Sequence, residues 1–291
     1  MGCKPRECLT EAMSNKFRFI RIGTFAAVLL LAGNASADES AWAETGQARV
    51  RLLAAGPVPG DKTLLRGGIE IRLARGWHTY WRYPGDAGVP PRFDWSGSEN
   101  LASIEVLWPA PELMLEKGGV KTVGYSDAVI FPLRARATDP ARAVKLNLHL
   151  QFAVCEKLCI PAEARLALDL TARTAASDPA LYTAEARVPK PVRLGEGPSF
   201  AISAVRLVRG KPPRVLVDVT TSVPREFLLV AEGPDADWAL PLPEPMHEPP
   251  RRYVFSIPLQ GAPPGAGPIP KFLRLTLITS GEAIELEAPI D

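Results

Sequence analysis

The chain is poor in the residues that build metal cages and charge-driven interfaces. Its 291 residues hold only three histidines and four cysteines, little material for a coordinated metal. Charge of one sign is also missing. The formal net charge is +2, and Lys4, Arg6, Lys16, Arg18 and Arg21 fall in the first 37 residues with only Glu7 and Glu11 against them. From residue 38 onward 29 basic residues face 30 acidic ones, which leaves no electrostatic footprint for nucleic acid or an anionic membrane. No Ser-His-Asp set and no carboxylate pair can be placed. Gly85-Asp86-Ala87-Gly88 is a turn and not a phosphate loop, because no helical pattern comes after it. Proline, by contrast, is abundant. Its 30 residues are roughly twice average usage, and scattered prolines break helices, so short strands joined by turns are favoured over a helical bundle. With 46% apolar and 23% charged residues the composition is globular, neither disordered nor fibrous.

Lys16, Arg18 and Arg21 precede the uncharged apolar run Ile22 to Gly33, and Ala35-Ser36-Ala37 comes next. A positive segment, a short apolar segment and an A-x-A site are the parts of a cleaved secretory signal, and the run is too short to span a bilayer comfortably. Residues 1–37 are therefore expected to be removed before Asp38, leaving an exported chain with no membrane span. Cys3 and Cys8 go with them, and Cys155 and Cys159 remain in an oxidising compartment.

Strand patterns dominate the rest of the chain. Ala48 to Leu52, Gly68 to Leu73, Val144 to Leu150 and Leu166 to Leu170 alternate with period two, and Ile104 to Leu107 and Ala128 to Phe131 are shorter candidates. Strands with one apolar face, separated by Gly/Pro turns, read as an antiparallel sandwich over residues 38–175. Residues 176–198 read as a linker, with Asp178-Pro179 starting a short helix through Ala186. Alternation returns over 199–291, at Ile202 to Val208, Val215 to Val219, Phe227 to Val230, Tyr253 to Ile257, Leu273 to Ile278 and Ile284 to Leu286. A second, smaller β-sandwich is expected there, and His247 falls in a proline-rich loop.

The cysteines are four positions apart, about 13 Å on a straight strand, whereas a disulfide needs Cα atoms within about 4.4–6.8 Å. Either the chain turns between them, as at a hairpin tip, or they do not pair. Ile160-Pro161 fits a turn, with Leu166 to Leu170 returning. Three readings stand at this point: a redox pair, a passive staple, and free or metal-binding thiols. A loop of about five residues contributes on the order of 2 kcal/mol, which a large core does not need. Within the turn Lys157 favours a thiolate and Glu156 opposes it. Trp77, Tyr80, Trp81, Phe93, Trp95 and Trp108 fit core packing, and His78 beside them is either packed or a modulator of a thiolate.

Several segments together resemble one family. They are Gly76-Trp77-His78-Thr79-Tyr80-Trp81-Arg82, the stretch Gly85 to Trp95, Val123-Gly124-Tyr125, Phe131-Pro132-Leu133 and Cys155 to Glu163. The family is that of the N-terminal periplasmic domain of the thiol:disulfide interchange protein DsbD and its relative, the suppressor of copper sensitivity protein B. The resemblance covers about Gln47 to Leu170. It implies an immunoglobulin-like β-sandwich whose redox pair is Cys155 and Cys159, with no cofactor beyond that disulfide. It also implies a protein-disulfide reductase component that takes electrons from a membrane reductase and passes them to thioredoxin-like periplasmic proteins. Those partners serve disulfide isomerisation, cytochrome c maturation or copper tolerance. Carried over by position, Trp77, Tyr80 and Trp81 surround the site and Glu116 to Tyr125 covers it. Family members continue into a membrane domain and a thioredoxin-like domain. This chain carries neither, so its electron donor is expected to be a separate membrane protein. Where the family has a shielding aromatic this sequence places Gly118-Gly119, so shielding is expected from neighbours such as Tyr125 or Trp77. Which cysteine attacks is open, the resemblance favouring Cys159. The alternative is a non-enzymatic periplasmic binding or assembly protein with a passive disulfide.

Overall fold

The computed structural model describes residues 38–171, 179–246 and 252–290. The expected signal segment, Asp178, the 175/176 boundary and His247 lie outside the described residues. The first half runs β1 (Ala43–Glu44), β2 (Ala48–Val58), β3 (Asp61–Leu73), β4 (His78–Gly85), β5 (Arg92–Asp94), β6 (Leu101–Val106), β7 (Glu112–Leu115), β8 (Lys121–Ser126), β9 (Ala128–Ala137), β10 (Val144–Cys155) and β11 (Cys159–Leu170). One sheet has the order β1-β2-β3-β9-β6. The other has the order β11-β10-β4-β8-β7, with β5 added against β10.

Alternation tells why these strands face as they do. In β2, β3 and β9, Val50, Leu52, Ile69, Ile71, Phe131 and Leu133 are buried in one apolar cluster with Leu146, Leu148, Leu150 and Leu170 from the opposite sheet. Each fully buried side chain of this size stabilises by about 1.5–3 kcal/mol, so the cluster holds the two sheets face to face. The strand expected to start at Gly68 begins earlier, at Asp61, because β2 and β3 pair through Gly67 and Gly68. A Cβ on Gly68 would meet the Leu181 side chain at 3.0 Å, so this glycine leaves room for a helix on the outer face.

That helix is α1 (Pro179–Ala186), where the sequence placed one. Leu181 is buried beneath it, and Glu185 accepts from Arg66 of β3 at 3.1 Å and from Arg134 of β9 at 2.8 Å. The second half then runs β12 (Lys190–Pro191), β13 (Phe200–Val208), β14 (Arg214–Thr221), β15 (Leu228–Glu232), β16 (Glu244–Met246), β17 (Arg252–Pro258), β18 (Phe272–Thr279) and β19 (Glu282–Pro289). It forms two four-stranded sheets, β12-β19-β18-β15 and β13-β14-β17-β16. Ile202, Val217, Ile257, Leu275 and Leu286 from these sheets share a second apolar cluster. The architecture is all-β and mostly antiparallel, β12 with β19 being a parallel pair. Among the described residues no helix is long and apolar enough to cross a membrane.

The described residues form one compact unit, and the two halves touch. Val230, Leu242, Ile278 and Ala283 of the second half bury themselves in the apolar cluster of the first. Arg82 of β4 pairs with Glu232 of β15 and Glu285 of β19.

Candidate functional site

β10 and β11 form a hairpin in unbroken register from Val144↔Leu170 to Cys155↔Cys159. Glu156-Lys157-Leu158 makes the three-residue turn. The cysteines are thus the last paired residues of the ladder, with Cα atoms 4.2 Å apart and the sulfurs joined. The turn resolves the spacing problem: directly opposed positions on antiparallel strands bring i and i+4 within bonding reach.

The two sulfurs are not equivalent. The Cys155 residue is only 1% exposed, whereas Cys159 is exposed at the start of β11. The period of β10 explains the first. Phe152 and Val154 face the main core, while Ala153 and Cys155 face the other way and form a small buried cluster with Tyr80.

β4 brings Tyr80 there. Cys155 is paired in register with His78, and the Thr79 hydroxyl donates to the Ala153 carbonyl at 2.9 Å. Alternation along β4 then divides its aromatics. Trp81, like Trp77 just before the strand, packs against the main core, whereas Tyr80 turns to the sulfurs with His78 edge-on to its ring. The Tyr80 hydroxyl lies 2.9 Å from Cys155 Sγ and 3.1 Å from Cys159 Sγ. A disulfide has no proton to give, so the phenol is the donor. Burial, and secondly the Glu116 carboxylate, push the Tyr80 phenol up to about 12, which keeps it protonated and donating.

Glu116 and His78 complete the surroundings. His78 Nε2 lies 3.2 Å from Glu116 Oε1 without hydrogen-bond geometry, and the imidazole meets the Tyr80 ring edge-on with centroids 5.4 Å apart. Glu116 Oε1 also accepts from the Thr122 hydroxyl at 3.0 Å. After Glu116 the chain makes a tight turn, with Gly119 N–H donating to the Glu116 carbonyl at 3.2 Å. Gly118 and Gly119 both have φ +82, a left-handed conformation that favours glycine, and both face open space. The sequence-selected glycines therefore lie on a turn whose first residue borders the site.

Tyr125 is elsewhere. Its hydroxyl donates to the Pro109 carbonyl at 2.7 Å and its ring packs edge-on against Phe131, so neither it nor the core-facing Trp77 and Trp81 supplies the contact made by Tyr80. The cover over Tyr80 comes from Gly88, a residue expected from the sequence to serve a turn only. A Cβ on Gly88, at φ +127, would lie 2.5 Å from two carbons of the Tyr80 ring. Hydroxyl-bearing aromatics at even spacing from a cysteine-paired position were the available signal, but they speak only once β4 is known to lie beside β10.

The exposed residues at the hairpin tip are mixed, with charged Glu156 and Lys157 beside apolar side chains. Leu158, in the turn itself, is 78% exposed, and Ile160, Leu115 and Val89 are exposed as well. A groove of about 470 Å³ runs beside the hairpin, lined by Val89, Pro90, Arg92, Gln151, Pro161 and Glu163 among others. Among the described residues no cluster of three or more His, Cys, Asp or Glu is placed to hold a metal ion. What the arrangement can do is thiol–disulfide exchange, with one exposed cysteine, one buried cysteine and a proton donor within reach of both sulfurs.

Residues 49–171 match the family described as thiol:disulfide interchange protein DsbD, N-terminal. Among solved structures, the N-terminal periplasmic domain of ScsB from Proteus mirabilis is similar in fold. Its TM-score is 0.65 at 22% identity, over 87% of this chain and 98% of that one. No curated protein is matched.

Proposed function

We propose that this chain, whose residues 49–171 match the DsbD N-terminal family, is a periplasmic thiol:disulfide exchange module related to DsbD and ScsB. The observation that carries the reading is the Cys155–Cys159 disulfide at a hairpin tip, with Cys159 exposed and the Tyr80 hydroxyl on both sulfurs. In the oxidised form an electron-donating dithiol attacks Cys159, the accessible sulfur. Cys155 leaves as a thiolate, and the donor's second thiolate displaces Cys159. The reduced chain then works in the other direction. The Cys159 thiolate attacks a partner disulfide, the partner sulfur leaves with the electron pair and takes a proton, and a mixed disulfide forms. Cys155, losing its proton, attacks Cys159 and releases the partner as a dithiol. Two electrons pass and the Cys155–Cys159 bond re-forms.

The donor in this reading is a separate membrane reductase. The acceptors are thioredoxin-like proteins of disulfide isomerisation, cytochrome c maturation or copper tolerance. Exposed Leu158, Ile160, Leu115 and Val89 supply apolar area for such a partner. The sandwich of the first half is immunoglobulin-like in this reading, and residues 199–291 form a second, smaller sandwich beyond a segment at 176–198.

The staple reading is the weaker one, because a hairpin already held by a full ladder to its last residue gains little from a further bond at its tip. Trapping tests the choice. Cys155→Ala is expected to leave Cys159 able to capture a thioredoxin-like partner as a stable mixed disulfide, and Cys159→Ala to capture little. A reduction potential well below about −300 mV would mark a structural bond and overturn the reading.

A further inference from the structure

We propose that Arg82 is a positioning residue for the redox pair: gripped by two carboxylates of the second half, it fixes the stretch of β4 that aims the Tyr80 hydroxyl at the sulfurs. The inference rests on the exchange reading and adds a role for the second half within the site.

β4 needs such a hold. It pairs with β8 at His78↔Ser126, Thr79↔Tyr125 and Tyr80↔Gly124, and the ladder then breaks until Gly85↔Thr122. Four β4 residues, Trp81 to Pro84, stand against the single β8 residue Val123. Against β10, β4 is in register only at His78. Tyr80 is thus the last ladder residue before an irregular stretch, and backbone pairing stops supporting β4 where aim matters most.

The second half supplies the missing support. Arg82 Nε donates to Glu232 Oε1 at 3.0 Å and Nη2 to Glu232 Oε2 at 2.7 Å, a two-point grip. Nη2 also bonds Glu285, which is itself held by the Thr276 hydroxyl at 2.9 Å. Tyr83 donates to the Leu240 carbonyl one residue further on. Glu232 and Glu285 lie on β15 and β19, which flank β18 in one sheet, so the anchor is a rigid element and not a loop. Two carboxylates against one guanidinium in a mostly buried setting make Arg82 hard to replace: without it they repel each other.

Four reduced proteins test the proposal: the wild type, Arg82→Met, Tyr80→Phe and the double variant, each over a pH series against a small aromatic disulfide. The titratable and charged groups near the redox pair, Glu116, His78, Glu156 and Lys157, are common to all four. Arg82→Met is expected to slow the reaction at neutral pH about three-fold or more and to move the rate profile to higher pH, as Tyr80→Phe does. The double variant is expected to be no slower than Tyr80→Phe alone, because Arg82 acts through Tyr80. A wild-type profile in a folded Arg82→Met protein, or effects that multiply in the double variant, would overturn it. Should Arg82→Met fail to fold, Glu232→Gln weakens the grip while leaving Glu285 in place, and the same comparison decides. The small disulfide needs no docking. A failure here is therefore distinct from a failure of the exchange reading, which shows in partner trapping and in the reduction potential.

Discussion

Removing the Tyr80 hydroxyl isolates what one buried proton donor contributes to this disulfide. Tyr80→Phe keeps the ring, which fills the space under Gly88 and against Ala153, and deletes an oxygen 2.9 Å and 3.1 Å from the two sulfurs. In the reduced protein the same hydroxyl is placed to donate to a thiolate. A hydrogen bond to a charged group contributes about 1.5–3 kcal/mol, so its loss makes the thiolate roughly 10- to 150-fold scarcer at a given pH below its titration. Part of that returns, because a more basic thiolate is a better nucleophile with a Brønsted slope of about 0.4–0.5. The net slowing is roughly the square root of the loss, about 3- to 12-fold near neutral pH. Stability of the oxidised protein should change by about 1 kcal/mol or less, since the hydroxyl's partners are weak sulfur acceptors and no strong donor or acceptor is left unpaired. Stopped-flow mixing of reduced protein with an aromatic disulfide, from acid to alkaline pH, measures the rate, and thermal melting checks the fold. An unchanged rate profile in a folded variant would refute the assignment of Tyr80 as donor to the reactive sulfur.

Reducing Cys155–Cys159 should leave the sheets standing. The loop term of about 2 kcal/mol corresponds to a fall in melting temperature of about 4–8 °C for a chain of this size, and calorimetry showing outright unfolding of the first half would make the bond a staple. Alkaline titration should find tyrosines that resist ionisation, with Tyr80 and Tyr83 pushed up to about 12 by burial and by nearby carboxylates, and Tyr125 raised well above the ordinary value by burial. Because these folded-state values lie above the unfolded one, their stabilisation is full below about pH 10 and is lost as pH rises towards 12. Tyrosinate absorbance should therefore lag and melting temperature fall across that window, and a flat melting temperature would contradict it. Replacing Gly118 and Gly119 with alanine meets open space but imposes φ +82 on residues with a Cβ, at a cost of about 1–2 kcal/mol each. If this turn gates access, the double variant should exchange more slowly with a protein partner while reacting near normally with a small thiol. Equal effects on both would remove the gating role.

The long strands were legible because each presents one face to a core, and that condition writes period two into a sequence. β2, β3, β10 and β11 appear wherever alternation was seen, extended at their ends by residues such as Asp61 that turn pairing recruits. α1 was legible from its proline start. β4 gave no such pattern as a strand, since Thr79, Tyr80 and Trp81 are all buried and a strand covered on both faces does not alternate. β7 is short and largely exposed, and β8 is buried over Thr122 to Tyr125, so neither alternates clearly.

By itself the sequence determined an all-β chain, two cysteines at a spacing that a hairpin can close and, far from them along the chain, a run of aromatics; what the cysteines do stayed open among three readings. Tertiary structure decided which groups meet them. Tyr80 rather than Tyr125 meets the sulfurs because β4 crosses beside β10 and turns Tyr80 away from the main core, towards Cys155. Glu116 borders His78, Gly88 covers Tyr80, and Arg82 finds carboxylates 150 and 203 positions away. Local pattern records only whether a residue is buried. Which distant residue it meets is set by how sheets stack and where a ladder breaks, and that is fixed only when the whole chain has packed.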